Sequence, residues 1–304
     1  MSETPRRSRP LSFALVAVAY VVAFAVAVVV FVSARDALPT TGFVGDWGPL
    51  FVADVAATAV VFAFSVMLKN HSTYDAYWSV APIAIVLWLW LEAPTGDGLR
   101  QVVVLALVLA WGLRLTWNWA HGWAGLHHED WRYRQIAQQT GRAFLLVSFL
   151  GIHLMPTVMV FLGCLSLRAA LHSDVAFGVF DVVAAVVTAG AIAIEAVADT
   201  QMRAFLARPR DDGGDRPVMD EGLWAISRHP NYLGEILFWI GLFLFSRAAG
   251  GPTHDVVGSV AMVILFSTVS IPLMERRQAS RREAYRVYQQ RVPVLLPWPR
   301  RTAP

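Results

Sequence analysis

Long apolar runs, each broken off by a cluster of charged or polar residues, set the rhythm of this chain. They fall at about 11–32, 49–68, 78–93, 99–119, 143–167, 175–198, 232–246 and 255–274. A helix needs about 20 mostly apolar residues to cross the hydrocarbon core, so these runs predict eight membrane spans. The third run is short and closes at Glu92, which suits a tilted or re-entrant segment. Pro156 and Pro272 lie inside runs, where each removes a backbone donor and predicts a kink. No internal repeat or low-complexity tract is visible.

The first run follows "RRSRP" much as a signal peptide would, with "VSA" before Arg35. Signal cores span only about 7 to 15 residues, and this run is longer, so a retained first helix is expected. The basic residues then set a topology. With the N-terminus in the cytoplasm, Arg35, Arg100, Arg168 and Arg247 fall on outer loops and Arg114 falls within a span. All the other Lys and Arg lie inside, Arg6, Arg7, Arg210, Arg216, Arg300 and Arg301 among them, which satisfies the positive-inside rule. The polar segments 69–77, 120–142, 199–231 and the tail from 275 would then face soluble cytoplasmic cofactors.

Composition agrees with the pattern. Of 304 residues, 56% are hydrophobic and 15% charged, against about 25% charged in soluble domains. The basic pI of 9.3 comes from residues spread between apolar runs, which argues against a nucleic-acid face. A single cysteine, Cys164, excludes an internal disulfide and a cysteine-based zinc site. His127 and His128 are adjacent rather than at metal-ligand spacing, so no metal is expected. No GxGxxG follows a strand, so a dinucleotide site here would not be Rossmann-like.

Several polar side chains enter the runs. In "SRHPNYLGE", Pro230 suits the first turn of a helix, with Ser227 or His229 near its cap. Asn231, Glu235 and Trp239 then share one face, and a carboxylate in hydrocarbon marks a functional site unless it merely braces the bundle. Arg228 and His229 beside a helix N-terminus favour an anion such as phosphate. Glu195, Asp199 and Arg203 repeat the spacing at the end of the sixth run; they suit ribose or amide hydrogen bonds, or an ordinary Asp199 to Arg203 ion pair. Arg114 and Asn118 do the same in the fourth. Tyr74, Asp75 and Trp78 stand at the mouth of the third, as acid-base candidates or an aromatic belt. Most tail arginines suit anionic lipid.

Together, "GLWAISRHPNYLGEILFWIG", "WGLRLTWNW…HEDWRYR", "EAVADTQMRAF" and "YRVYQQRVPVLLP" resemble the steroid 5-alpha-reductase superfamily, over about residues 65–299. The bacterial branch, labelled domain of unknown function 1295, is the most similar. The resemblance implies a multi-span enzyme that uses NADPH to reduce a double bond conjugated to a carbonyl. It implies cofactor contacts at Asn231, Glu235, Trp239, Asp199 and Glu195, with Arg281, Tyr285 and Tyr288 in a tail that closes over the cofactor. Arg114, Asn118, Arg132, Tyr133, Trp224, Ser227, Arg228, His229 and Tyr232 are further candidates within the shared motifs. In the steroid enzymes a Tyr and a Glu on early spans polarise the substrate carbonyl. Neither aligns here, and Asp75 with Tyr74 is the substitute.

The expectation is an all-α integral membrane protein of about seven to eight transmembrane helices, with cytoplasmic loops and tail closing a cofactor cavity. Residues 1–64 form two N-terminal spans, 65–299 the reductase-like domain and 300–304 a short basic tail. The expected activity is NADPH-dependent reduction of a lipophilic enone, steroid- or isoprenoid-like, in an inner membrane of bacterial type with both termini cytoplasmic. Two alternatives stand: an S-adenosylmethionine-dependent methyltransferase of the isoprenylcysteine carboxyl type, which shares an "RHPxY" helix start, and a non-catalytic scaffold or transporter. Membrane lipids and a lipophilic substrate are the expected partners, with no nucleic acid.

Overall fold

The computed structural model describes residues 8–93, 95–208 and 217–297. Arginines 6, 7, 210, 216, 300 and 301, and with them the basic tail at 300–304, lie outside the described residues. The protein is an all-α integral membrane protein, with no strand among the described residues. Its α-helices, in order, are α1 (Arg9–Ala37), α2 (Gly42–Leu68), α3 (Tyr77–Leu91), α4 (Gly98–Gly122), α5 (Trp131–Thr140) and α6 (Phe144–Val147). There follow α7 (Met155–His172), α8 (Val179–Leu206), α9 (Pro230–Ala248), α10 (Val256–Leu265), α11 (Ile271–Arg281) and α12 (Glu283–Arg291).

Seven helical stretches are long and apolar enough to cross a membrane: Arg9–Ala37, Gly42–Leu68, His71–Leu91, Gly98–Gly122, Trp131–His172, Val179–Leu206 and Thr253–Arg281. The short third run becomes a stretch of 21 residues because a 3-10 turn, His71–Tyr74, precedes α3. The eighth expected span, 232–246, lies on α9 and is not among the seven. Asn231 and Glu235 near its start and Arg247 near its end dilute its 19 residues. Leu233, Gly234, Glu235, Ile236, Phe238 and Trp239 are all buried along α9. A helix buried on nearly every side is a core element of its unit.

The prolines act through local π turns. Residues Ser148–Leu154 form one immediately before Pro156, and Phe266–Ser270 form another before Pro272. A proline ring crowds the carbonyl four residues back, and a wider i+5 turn makes room for it. In the first turn the His153 Nδ1 lies 3.0 Å from the Ser148 carbonyl oxygen.

The chain divides into two compact units. The first comprises Met1–Trp88 and Trp111–Phe161, the second Leu89–Ala110 and Leu162–Pro304. In the first, α1 packs along α2, and Ala23, Ala57, Val61, Tyr74, Tyr77 and Ala81 form a core. In the second, α8 and α9 pack closely because small residues stand at their contacts: Gly234 against Glu195 and Gly241 against Thr188. Gly163 lies under the Trp239 ring in the same way. A buried ion pair ties the start of α4 to α8, with Arg100 Nε 2.7 Å from Asp181 Oδ1 and Nη2 3.0 Å from Oδ2. Neither side chain is more than 2% exposed.

Candidate functional site

The polar side chains gather in two places, one in each unit. In the first unit, α1, α2 and α3 line a part-open cavity of about 190 Å³ whose walls are apolar except at three residues. Asp54 of α2 and Tyr77 of α3 are two of them, and the Tyr77 hydroxyl donates to Asp54 Oδ1 at 3.0 Å. Asp54 Oδ2 is buried with no partner, and so is the indole nitrogen of Trp88, the third. Phe24 stacks on Tyr77 with ring centroids 6.1 Å apart, and Phe31 meets Trp88 edge-on at 4.6 Å.

Tyr74 closes the 3-10 turn that precedes α3, and Asp75 follows it, at the mouth of the third span as expected. Tyr74 does not line this cavity. Its hydroxyl bonds Thr157 at 2.7 Å, and its ring packs on His153. Asp75 accepts a 2.5 Å hydrogen bond from Tyr133, so two predicted residues do meet, as a bracing pair. Arg132 folds back on Asp130, the residue that caps α5, at 2.9 Å, and lies over the Tyr133 ring. Arg114 and Asn118 are half-buried on α4. In the loop before α5, Glu129 Oε1 accepts the His71 backbone N–H at 2.8 Å. Burial pushes this carboxyl above its ordinary range, and the His71 bond opposes the shift.

In the second unit, the segment predicted to start a helix at Pro230 does so, with His229 at the cap and Ser227 Oγ accepting the His229 N–H. Glu235 and Trp239 share a face as their spacing predicts, and Trp239 Nε1 donates to Glu235 Oε1 at 2.8 Å. Glu195 of α8 is buried against Gly234, in the turn beside Glu235. Asp199 and Arg203 follow on α8, where Arg203 donates to Thr200 at 3.0 Å.

Arg228 is occupied by the protein itself. Its Nε is 2.6 Å from Glu275, and its Nη1 donates to the carbonyls of Gln289 and Val292 at 2.6 and 2.8 Å. His229 Nε2 lies 3.1 Å from the same Glu275. These contacts fasten α12 beside the start of α9. Tyr288 adds a 2.6 Å bond to the Trp224 carbonyl, and Trp224 Nε1 donates to Ala198 O at 3.1 Å.

A second cavity, of about 250 Å³, opens among these elements, with Asn231, Tyr232, Gln278, Arg282 and Tyr285 on its wall. Arg281 is exposed, and its neighbour Arg282 is the one that lines the cavity. Burial, and then the nearby Glu275 carboxylate, push the Tyr285 phenol above its ordinary value.

Sequence reasoning missed Asp54, Tyr77, Gln278 and Arg282. A lone carboxyl inside the second apolar run was signal enough for Asp54, since such residues are costly in hydrocarbon. Its pairing with Tyr77 was not visible at a separation of 23 residues.

The family described as "Protein of unknown function (DUF1295)" matches residues 61–292. The chain belongs to that family. The match takes in α3 to α12 with Tyr77 and the α9 motif, and it begins after Asp54. An uncharacterised protein of Schizosaccharomyces pombe, C594.04c, is 26% identical over 261 residues, 78% of this chain and 76% of the yeast protein. No solved structure matches the chain.

Proposed function

We propose that this protein is a membrane reductase that uses NADPH to saturate a double bond conjugated to a carbonyl in a lipophilic substrate. The observation that carries this reading is the Asp54 and Tyr77 pair, set in the wall of an otherwise apolar cavity. Hydride adds to the β-carbon of an enone only as fast as the negative charge displaced onto the carbonyl oxygen is stabilised. Tyr77 gives its one hydroxyl hydrogen to Asp54 Oδ1, and the Asp54 carboxyl in its acid form is the donor for that oxygen, from Oδ2. Phe24, Ala57, Ile85 and Trp88 surround the pair with apolar side chains, which strengthens that bond. One hydride at the β-carbon and one solvent proton at the α-carbon balance the reduction.

Similarity of the four sequence motifs to the steroid 5-alpha-reductase superfamily supports the same chemistry. In those enzymes a Tyr and a Glu on early spans act on the carbonyl. Here Tyr77 and Asp54 take that role in place of Tyr74 and Asp75. A cavity of about 190 Å³ is of the order of one that holds a single aromatic ring, ~150 Å³. It therefore accommodates the enone end of a substrate rather than a whole polycyclic skeleton.

The second unit offers side chains that fit NADPH by their chemistry. Arg282 would hold a phosphate, Asn231 and Gln278 would bond ribose or carboxamide, and Tyr232 and Tyr285 offer aromatic faces. When bound, the dihydronicotinamide supplies the hydride. Arg228 and Glu275 contribute indirectly, by holding α12 beside α9.

The test uses purified protein in lipid nanodiscs with 2-cyclohexenone and NADPH deuterated at the transferred position. Deuterium is expected at the β-carbon of cyclohexanone. Asp54→Asn and Tyr77→Phe are each expected to slow its appearance about a hundredfold with NADPH binding retained. Binding of S-adenosylmethionine instead of NADPH would overturn the reading in favour of a methyltransferase.

A further inference from the structure

The reaction proposed above uses one end of the cavity in the first unit and leaves the other end without a role. On α3, Tyr77, Ala81, Ala84, Ile85 and Trp88 fall at i, i+4, i+7, i+8 and i+11, a single stripe along the cavity wall. That spacing sets the α-carbons of Tyr77 and Trp88 about 16 Å apart along the helix axis. On α1, Phe24 stacks on Tyr77 and Phe31 meets Trp88, and these two partners lie about 10 Å apart along their own helix. The cavity is therefore a slot that follows the helices. Its hollow comes from Ala27, Ala53, Ala57, Ala81 and Ala84, whose methyl groups leave open what larger side chains would fill.

Each end of the slot carries a polar atom that the protein leaves unused. At one end Asp54, bonded to Tyr77, has its Oδ2 buried with no partner. At the other, the Trp88 Nε1 is likewise buried with no partner. A tryptophan of an interfacial belt turns its N–H to water, and this one does not. A donor left unpaired in an apolar wall bears the full cost of its lost hydration. A water molecule is a poor remedy, since it needs about two to four polar partners. Asp54 and Tyr77, the other polar side chains of the wall, stand at the opposite end. An acceptor atom on the ligand relieves the cost directly. Phe31, edge-on to Trp88 with ring centroids 4.6 Å apart, restrains the indole that would receive it.

We infer that Trp88 is a specificity-determining residue: its indole N–H takes a second oxygen acceptor, carried by the substrate at the far end of a straight chain that leads away from the enone. This deepens the reading of Asp54 as the donor to the enone carbonyl and rests on it. A slot with one donor at each end selects its ligand by the distance between two oxygens, and a slot this narrow admits a chain in place of fused rings.

The test compares straight-chain methyl ketone enones of increasing length with the same enones ending in a methyl ether. Each is bound to the full chain in lipid nanodiscs. Affinity, referred to the concentration in the bilayer, and NADPH-dependent reduction are both measured. In the wild type, the ether of one chain length should bind about tenfold more tightly than the plain enone of equal length, and shorter or longer ethers should show no gain. Trp88→Phe, which keeps an aromatic ring and removes the donor, should erase that difference. If Trp88→Phe disturbs folding, Ala84→Leu fills the slot one turn short of Trp88 and should weaken the long ethers far more than 2-cyclohexenone. Reduction of the plain enones with no ether gain at any length overturns the inference alone, and so does a gain that Trp88→Phe leaves in place. Failure of every enone to bind or be reduced overturns the role of Asp54 and Tyr77, and the inference with it.

Discussion

Gly234 stands directly against Glu195: a β-carbon on Gly234 would lie 2.4 Å from Glu195 Cγ and 2.8 Å from the Ala191 carbonyl oxygen. The second of these is backbone and cannot swing aside. Gly234→Ala is therefore expected to force α8 and α9 apart, at a cost of about 1–3 kcal/mol. A lower melting temperature together with weaker NADPH binding is the expected result, because the same turn carries Glu235. Melting scans with and without NADPH check it.

Arg100 and Asp181 form a pair with almost no exposure. Removing one partner strands the other charge, so Arg100→Ala should cost about 3–5 kcal/mol. Replacing both, with Arg100→Met and Asp181→Leu, should cost much less than either single change. Thermal unfolding in detergent of all three variants gives the comparison.

The Arg228 side chain holds Glu275 and two carbonyls of the C-terminal segment. Arg228→Ala should release α12 and expose the chain around Glu283 to limited proteolysis before any other site, with a loss of about 2–4 kcal/mol. Mass spectrometry of the first fragments reads the outcome.

Glu129 carries a pH dependence. Its carboxyl is raised by burial, so the folded protein binds that proton more tightly than the unfolded chain does. The resulting stabilisation is complete below the ordinary glutamate value and is lost as pH rises through the raised one. Glu129→Gln removes the titration. The melting temperature of the wild type relative to this variant should therefore fall as pH rises above the ordinary glutamate range.

Much of the architecture was legible because membrane helices declare themselves through length and composition. Seven of the eight expected runs lie in membrane-length helices, and Pro230 marked the start of α9. The eighth falls on α9, which is apolar in its middle and polar at its ends, so by length and composition it does not stand with the other seven. Glu235 and Trp239 were legible as partners, since four residues along a helix bring side chains together. Asp54 with Tyr77, and Thr58 of α2 with Thr157 of α7, whose hydroxyls lie 2.8 Å apart, were not. Each pair joins two helices, and no periodicity within one segment encodes which neighbour it will face. Arg228 shows a cation at a helix start meeting an anion of its own chain: it holds Glu275, and it lines the second cavity as well.

The π turn at 148–154 has a consequence for comparing this chain with its relatives. A turn of this kind holds one residue more than the α-helix on either side, so it marks where a relative can lack a residue without losing the helix. Gly151 sits inside it, with nothing near the space a side chain would fill. Deleting Gly151 is expected to return the segment to ordinary α-helix, with the helix kept on both sides. A single-residue gap in an alignment at this point therefore marks relatives that lack the wide turn.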